Sequence, residues 1–426
     1  MQYTSRVFNH SGKKGGMDMP YKELKKLYYG DQETYKSTYD QRFSSENTIR
    51  LDFDVAGYQA FFVQCTDVVN LSYQIMRLDK DISMLRTQLP KIALEQYSRR
   101  CLIDEIVITN NIEGVYSSRK EIGAALSILE EQSSKKGKKN VFLGLVNKYL
   151  KLLSHEKVPL ETCQDVRNIY DEIVLDEVIS EDKHNAPDGQ IFRKDMTEIY
   201  AASGKSIHKG KYPEAEIIKY MGKALKFLND EEILPLYRIC LFHYMIEFIH
   251  PFYDGNGRLG RFILSYCIAE NYEWLLAYRI SETIKENIKK YYDAFTTCND
   301  RRNLADLTPF LIMMLDMIKS SMESLKTSLS EKLFSWNRYS TVIPKLDQSR
   351  TKDMAQLYDV LIQASLFSEQ GISTQELLTF FHTNYATLGK RLAVISAQDL
   401  LIVEKHENKK FYSIKLKELD DIIMES

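Results

Sequence analysis

This sequence of 426 residues has no long hydrophobic run, few prolines and glycines, and a net charge close to zero. No apolar run approaches the roughly 20 residues that a membrane-spanning helix needs. The 9 prolines and 18 glycines are too few for a collagen-like or low-complexity protein. Because 57 basic side chains face 59 acidic ones, a globally basic nucleic-acid binder is excluded as well. We expect an ordinary globular protein with no membrane partner.

Cysteine is scarce too, and its positions show no pairing pattern. The six residues are Cys65, Cys101, Cys163, Cys240, Cys267 and Cys298, and no two of them form a CxxC motif. Several fall within apolar helical patterns, which is typical of buried thiols in a reducing compartment. The N-terminal residues MQYTSRVFNHSGKKGG lack the apolar segment of a secretory signal. We therefore expect a cytoplasmic protein without disulfides.

Helical periodicity covers most of the chain. Apolar residues recur every three or four positions from about residue 58 to 328, and strand-like alternation is rare before the C-terminus. This pattern predicts a mainly α-helical fold. The expected parts are an N-terminal arm (1–50), an N-terminal helical region (51–155), a helical core (156–330), a linker (331–350) and a C-terminal unit (351–426).

The C-terminal unit has a different pattern from the rest of the chain. Three helical segments precede two strand-like segments, LLIVEK and KKFYSIKL, an order that resembles a winged helix. Its third helix offers Lys390 and Arg391 to phosphates, and its hairpin offers Lys405, Lys409 and Lys410. This basic patch is modest, so a DNA partner and a protein partner, including a second copy in a homodimer, both remain open.

A glycine-rich turn between two apolar helical patterns carries the candidate active site. Residues 249–261 read IHPFYDGNGRLGR. Gly255 and Gly257 permit a left-handed backbone and a close approach to a ligand. The turn leads into a helix N-terminus, where unpaired N–H groups and the helix dipole attract anions. Arg258 and Arg261 share one face of that helix and can each bind phosphate oxygens, so the segment predicts a phosphate site.

Two further residues of this turn predict chemistry as well as binding. His250 carries an imidazole whose ordinary pKa of about 6.5 suits a general base. Asp254 is a hard oxygen ligand of the kind that Mg²⁺ prefers. The three glycines also spell GxGxxG, but that dinucleotide-binding pattern requires a preceding strand and the preceding segment is helical. The residues together favour nucleotide transfer to a hydroxyl group.

The segment HPFYDGNGRLGR (250–261) resembles the HxFx[D/E]GNGRxxR signature of the Fic (filamentation induced by cAMP) family. The resemblance implies a helical fold that uses ATP and Mg²⁺ and transfers AMP to a Ser, Thr or Tyr hydroxyl of a protein, itself included. It implies that His250 is the base and that Asp254 holds the metal. The residues it assigns to ATP in this segment are Gly255, Asn256, Gly257, Arg258, Leu259, Gly260 and Arg261.

Two other segments resemble substrate-binding regions of the same family. Residues 192–217 resemble a β-hairpin flap that pairs with the backbone of the target protein. The tip of this flap is expected at Ser206, Ile207, His208 and Lys209. Residues 291–300 (YYDAFTTCND) resemble a tyrosine pair and an asparagine that bind adenine. This likeness assigns Tyr291, Tyr292 and Asn299 to ATP.

An upstream segment, TNNIEG (109–114), resembles the family's inhibitory motif [S/T]xxxE[G/N]. Thr109 and Glu113 are four residues apart and therefore share a helical face. The resemblance implies that Glu113 pairs with Arg261 and prevents productive ATP binding. The favoured function is an autoinhibited protein adenylyltransferase. A de-AMPylase that uses the same site and a DNA-binding regulator with a nucleotide-sensing site remain as alternatives.

Overall fold

Most of the chain forms α-helices, as the periodicity predicted. The computed structural model describes residues 21–130, 142–153, 156–200, 206–346, 349–406 and 409–424. Within these ranges the strands form one three-stranded sheet and two hairpins. None of the helices described there is both long enough and apolar enough to cross a bilayer.

The N-terminal part combines short helices, a hairpin and two long helices. Its elements are α1 (Leu24–Tyr28), α2 (Gln32–Ser44), β1 (Thr48–Val55), β2 (Tyr58–Val63), α3 (Thr66–Arg86), α4 (Lys91–Ile112) and α5 (Arg119–Glu130). Part of the expected N-terminal arm contacts the rest of the chain, since the hydroxyl of Tyr35 donates to the carbonyl of Arg302 at 2.8 Å. Residues 1–20 of that arm lie outside the described ranges.

The hairpin β1–β2 differs from the prediction, which placed residues 58–63 in a helical pattern. Phe61 belongs to a cluster with Leu24 and Tyr35, whereas its neighbour Phe62 belongs to the main core. Both faces of β2 are therefore covered. A short apolar run that is buried on both faces cannot be distinguished from a helix by periodicity alone.

The central part packs around two buried helices, α10 and α11. Its elements are α6 (Leu143–Leu153), α7 (Cys163–Tyr170), a π-helical turn (Asp171–Leu175), α8 (Asp176–Glu181), β3 (Glu198–Tyr200), β4 (Ser206–Lys209), α9 (Glu214–Leu228), α10 (Pro235–Ile249), α11 (Asn256–Asn271), α12 (Ile280–Glu286), α13 (Ile288–Asn299) and α14 (Thr308–Ser340). Twelve of the fifteen residues of α10 are buried. The turn between α10 and α11 is thus held by a rigid core.

The C-terminal part has its own hydrophobic cluster, which includes Tyr358, Leu361, Leu388 and Ile414. Its elements are α15 (Lys352–Phe367), β5 (Ile372–Ser373), α16 (Thr374–Phe380), α17 (Tyr385–Ala397), β6 (Leu401–His406), β7 (Lys409–Ile414) and α18 (Leu416–Met424). The sheet has the order β5-β7-β6. The helices and the hairpin follow the order expected from the sequence, while the winged-helix assignment and its partner stay predictions.

The expected linker at 331–350 is wrong for residues 331–340, because α14 continues to Ser340. Leu333 is buried, and the indole Nε1 of Trp336 donates to Asp359 Oδ1 at 2.8 Å. Tyr339 belongs to the C-terminal cluster. These three side chains keep a spacing of three residues, so the helical pattern persists through a polar segment and joins the two hydrophobic clusters.

Gly144 in α6 provides a test of how tightly the π-helical turn is packed. A Cβ atom at this position would overlap the backbone carbonyl of Glu172. Because a backbone atom cannot rotate away, we expect Gly144→Ala to lower the free energy of unfolding by about 1–3 kcal/mol. Gly222→Ala in α9, where an added Cβ meets no atom within 4 Å, should instead raise it by about 0.5–1 kcal/mol. Thermal or urea unfolding measures both, and equal stabilities would contradict the packing.

Candidate active site

Two left-handed residues shape the turn between α10 and α11. α10 ends at His250, whose φ and ψ are 53° and 64°, and α11 begins after Gly255, whose φ is 76°. Glycine adopts this conformation freely, whereas a left-handed histidine costs on the order of 1–3 kcal/mol and is typical of functional sites. A Cβ at Gly255 would also lie only 3.0 Å from Cγ2 of Val174. The backbone here is therefore tightly specified.

Asn256 closes the turn instead of facing a ligand with its side chain. Its Oδ1 accepts the N–H of Phe252 at 2.9 Å, and its Nδ2 donates to the carbonyl of Phe252 at 2.8 Å. Both polar groups of the amide are thus used within the loop. Asn256, which was expected in the anion site, can contribute to it through its backbone N–H group, beside that of Gly257.

The loop rests on residues of α7, the π-helical turn and α8. Tyr170 stacks on Phe252 with 3.6 Å between ring centroids, and its hydroxyl donates to the carbonyl of Asp254 at 3.1 Å. One turn further along, Val174 packs under Gly255. Sequence reasoning missed these supports, because the relevant residues lie about 80 positions before the loop in an ordinary-looking helical pattern.

Arg261 is held by the segment that resembles the inhibitory motif. Its side chain is 1% exposed, and its Nη1 contacts Glu113 Oε1 at 2.7 Å. Nε donates to the hydroxyl of Thr109 at 2.8 Å, and Nη2 donates to the carbonyl of Thr109 at 3.0 Å. The structure therefore brings Thr109 and Glu113 together on Arg261. A Cβ at Gly257 would overlap Oε1 of Glu113, so glycine at this position makes the contact possible.

Arg258 is also buried and also paired. Its Nη1 donates to Oε2 of Glu177 in α8 at 2.5 Å. The sequence had predicted Arg258 as a phosphate ligand but gave no sign of this partner, which lies 81 residues earlier. The remaining expected residues of the segment, Leu259 and Gly260, lie within the buried part of α11.

Glu247, one turn before His250 in α10, is a further acidic residue of the site. Its Oε1 is buried, has no hydrogen-bond partner among the described residues, and lies over Gly260. Burial, with a contribution from Glu113, raises the pKa of Glu247 to about 8, although Arg261 opposes the shift. The carboxyl is therefore mostly neutral at pH 7. A glutamate within an otherwise apolar helix was the available sequence signal.

The residues expected to bind adenine are only partly available. Tyr291 is buried, and its hydroxyl lies 2.8 Å from Nε2 of His243. Asn299 accepts the hydroxyl of Tyr244 through Oδ1 at 2.6 Å. Tyr292 is 45% exposed, so of the three it is the one whose ring a base can reach in this conformation. The tyrosine pair therefore divides into one core residue and one surface residue.

The predicted hairpin lies beside His250. Its strands β3 and β4 pair antiparallel, and Lys211 just beyond β4 donates its N–H to the carbonyl of Ile249 at 2.9 Å. The buried Arg193 donates Nε to the carbonyl of His250 at 3.0 Å. These bonds fix one end of the hairpin next to the loop.

The expected tip of that hairpin is wrong, because residues 206–209 form its second strand. Of this set, His208 places Nε2 2.6 Å from the carbonyl of Phe248, and Lys209 is exposed and pairs in register with Glu198. The side chains of Ser206 and Ile207 lie outside the description, as do residues 201–205. Strand-like character was hidden by the polar sequence SIHK.

His250 itself is in the proton-accepting form. Its ring is half-buried, and Nδ1 has no hydrogen-bond partner among the described residues. Burial lowers the pKa of His250 to about 3, and the nearby His208 and Arg193 add to the effect. The imidazole is therefore neutral at physiological pH, as a general base must be.

Asp254 is the residue of the loop that suits a metal ion. It is half-buried, and its Oδ1 accepts the N–H of Gly255 at 2.5 Å, which orients the carboxylate. The described ranges contain no group of three or more His, Cys, Asp and Glu side chains arranged around one point. Mg²⁺ commonly takes only one or two carboxylates and fills its other positions with water and phosphate oxygens. The single carboxylate of Asp254 beside the predicted phosphate site fits that requirement.

These features define a helical protein with a candidate anion site at a helix–loop–helix turn. Residues 161–268 match the Fic/DOC family. A Fic family protein from Desulfovibrio desulfuricans G20 has a similar fold, with a TM-score of 0.52, 19% identity, and coverage of 84% of this chain and 98% of that one.

Curated relatives match over shorter stretches. The protein adenylyltransferase fic-1 of Caenorhabditis elegans is 28% identical over 109 residues, which are 24% of this chain and 20% of the relative. The protein adenylyltransferase Fic of Aedes aegypti is 24% identical over 250 residues, which are 56% of this chain and 45% of the relative. The chain thus spans less than half the length of these two relatives.

The proton on Glu247 gives a test of the site's electrostatics. Because the pKa of Glu247 is raised in the folded protein, the wild type loses stability as the pH rises from about 4.5 through about 8. Glu247→Gln has no proton to lose. We therefore expect the melting temperature of this variant, relative to the wild type, to be higher at pH 8.5 than at pH 5. Glu331→Gln, at an exposed position, is the control and should show no such trend. If the difference in melting temperature between Glu247→Gln and the wild type were the same at both pH values, the carboxyl of Glu247 would not be buried in its neutral form.

Proposed function

We propose that this chain transfers AMP from ATP to a Ser, Thr or Tyr hydroxyl of a protein, and that Glu113 inhibits the transfer. The observation that carries the proposal is the buried guanidinium of Arg261, which follows the His250 loop and binds a carboxylate. Carboxylate and phosphate oxygens are interchangeable partners of a guanidinium fork. The same group fits a phosphate of ATP once Glu113 leaves. The names of the curated relatives support the same reaction.

In the proposed reaction the target hydroxyl attacks the α-phosphorus of ATP. A new oxygen–phosphorus bond forms, the bond to the bridging oxygen breaks, and pyrophosphate leaves with the electron pair. His250 accepts the hydroxyl proton, for which its neutral form is suited. The N–H groups at the start of α11 stabilise the negative charge on the phosphates. Asp254 would hold Mg²⁺, which when bound neutralises part of that charge.

A protein target agrees with the position of the hairpin. Within the described residues strands β3 and β4 form a two-stranded sheet of their own, so each of them is an edge strand. An extended segment of a target can add to such an edge. Because Lys211 and Arg193 tie the hairpin to Ile249 and His250, a segment bound there would bring its side chains near the imidazole. Segments of a second copy of the chain could bind in the same way, which allows self-modification.

Inhibition follows from competition for one cation. Glu113 accepts from Nη1 of Arg261, while Thr109 accepts from Nε and Nη2, so each nitrogen of the guanidinium already has one partner within the chain. The phosphate that needs Arg261 must displace the carboxylate first. Glu113 is 25% exposed and sits at the C-terminal cap of α4, so its side chain can move without disturbing the helix.

Removal of Glu113 should therefore activate the enzyme. We expect Glu113→Gly to raise incorporation of label from α-³²P-ATP by roughly 5- to 150-fold, the range of an ordinary coupling free energy. Mass spectrometry of the product should detect one added AMP on a Ser, Thr or Tyr. Glu95→Gly, on the exposed face of the same helix, is the matched control and should label like the wild type. Equal labelling by the wild type and Glu113→Gly would refute autoinhibition.

The role of His250 has its own test in the activated background. His250→Ala combined with Glu113→Gly should lower the transfer rate by about 10²- to 10⁴-fold, the usual contribution of a general base. Its affinity for ATP, measured by calorimetry, should remain close to that of Glu113→Gly. The exposed His184→Ala serves as the control and should leave the rate unchanged. If the His250 variant transferred AMP at the rate of Glu113→Gly, His250 would not be the general base.

The same reagents separate the reverse reaction from the proposed one. A protein that already carries AMP can be incubated with the wild type and with Glu113→Gly. Release of AMP by the wild type alone would indicate that Glu113 serves hydrolysis. Transfer by Glu113→Gly without any release by the wild type would leave inhibition as its function.

A further inference from the structure

The second arginine of the site is paired with an acidic residue that its predicted role does not account for. Arg258 is 1% exposed and Glu177 is 7% exposed, and one contact of 2.5 Å joins Nη1 to Oε2. The other carboxylate oxygen, Oε1, and the Nε of Arg258 are buried without hydrogen-bond partners among the described residues. Buried groups of this kind are nearly always satisfied in native proteins. Their state here indicates that the pair is built for something beyond stability.

The helical segment that carries Glu177 packs along the loop through three contacts. Tyr170 lies against Phe252, Val174 lies against Gly255, and Glu177 reaches Arg258. Between the first and the last of these contacts the helix contains the π-helical turn Asp171–Leu175. Such turns change the register of the residues that follow and occur frequently at functional sites. The register after this turn brings the carboxylate of Glu177 to the guanidinium.

Glu177 and Glu113 each neutralise one arginine of α11, but the two side chains differ in how far they are exposed. Arg258 and Arg261 are three residues apart on α11, so two buried cations lie side by side and each needs a counter-charge. Glu113 supplies it to Arg261 from a helix end and is 25% exposed. Glu177 supplies it to Arg258 from within α8 and is 7% exposed. Glu113 can therefore move away from Arg261, whereas the core holds Glu177 beside Arg258.

We propose that Glu177 is a positioning residue for ATP binding. Glu177 fixes the guanidinium of Arg258, so that the remaining N–H groups of Arg258 are already oriented for the phosphates of ATP. The inference rests on the proposed function, since it takes ATP as the ligand. An arginine whose side chain is ordered before binding loses less conformational freedom when the phosphate arrives. Glu177 itself need not touch the nucleotide.

Substitution of Glu177 in the Glu113→Gly background tests this role. Glu177→Ala should weaken ATP binding by roughly 10- to 100-fold, because Arg258 is no longer held in one orientation. Glu177→Gln keeps the shape and one acceptor oxygen, so it should weaken ATP binding less. Adenosine, which has no phosphates, should bind all three proteins equally. Glu181→Gln, at the exposed end of α8, is the matched control and should bind ATP like the parent.

A double-mutant cycle separates positioning from a general loss of structure. If Glu177 acts through Arg258, then Glu177→Ala should have little further effect on ATP affinity once Arg258→Ala is present. Additive losses would overturn the proposal, as would equal losses of ATP and adenosine affinity or parental ATP affinity in Glu177→Ala. Circular dichroism and melting temperature check that each variant is folded. Glu177→Gln, which is isosteric, carries the test if Glu177→Ala unfolds.

The outcome is distinguishable from failure of the proposed reaction. If Glu113→Gly binds ATP but transfers no AMP, the proposed reaction is wrong, and the binding measurements still decide the role of Glu177. If Glu113→Gly binds ATP and transfers AMP while Glu177→Ala behaves like its parent, the reaction stands and the positioning role is wrong. If Glu113→Gly binds no ATP, both proposals are wrong.

Discussion

The burial of Arg261 is the constraint on which the rest of the site depends. A guanidinium cannot release its proton, and an unpaired cation in a protein interior is very costly, so an anion must lie beside it. Within the chain that anion is Glu113, and Arg261 also donates two hydrogen bonds to Thr109. A bound phosphate would meet the same requirement. One cation cannot be fully shared between two anions. Pairing with Glu113 and binding of a phosphate therefore exclude each other at Arg261.

Two other acidic groups near Arg261 ionise less readily than exposed carboxyls, because burial penalises their charged forms. Burial raises the pKa of Glu247 to about 8 and that of Glu105 to about 7. Glu105 is further restrained by Ser281, whose hydroxyl donates to Oε1 at 2.5 Å. Had both carboxyls been ionised, they would have competed with Glu113 for Arg261 and would have repelled a phosphate. Burial thus favours the neutral form of these two carboxyls, while the charge of Arg261 opposes it.

Local patterns could be predicted from residue spacing, whereas the distant pairing of Glu113 with Arg261 was predicted only through the resemblance to the inhibitory motif. The turn from His250 to Arg261 is contiguous, and Thr109 and Glu113 are one helical turn apart, so periodicity and spacing were enough to bring each set together. The partner of Arg258 is 81 residues away, and the burial of Tyr291 depends on His243 from another helix. Such contacts depend on the packing of whole helices. Likewise β2 resembles a helix in sequence, because both of its faces are buried.

Helix α4 links this site to the far side of the molecule. With 22 residues it is about 33 Å long, and it carries Glu113 at its C-terminal end. Near its N-terminal end, Gln96 and Arg99 contact Oε1 of Glu376 in the C-terminal part at 2.8 and 3.0 Å. A helix held at both ends cannot slide or turn at one end alone. The position of Glu113 is therefore set by packing against the C-terminal part as well as by its ion pair, and displacing the carboxylate by rotation of its side chain requires far less rearrangement than moving the helix.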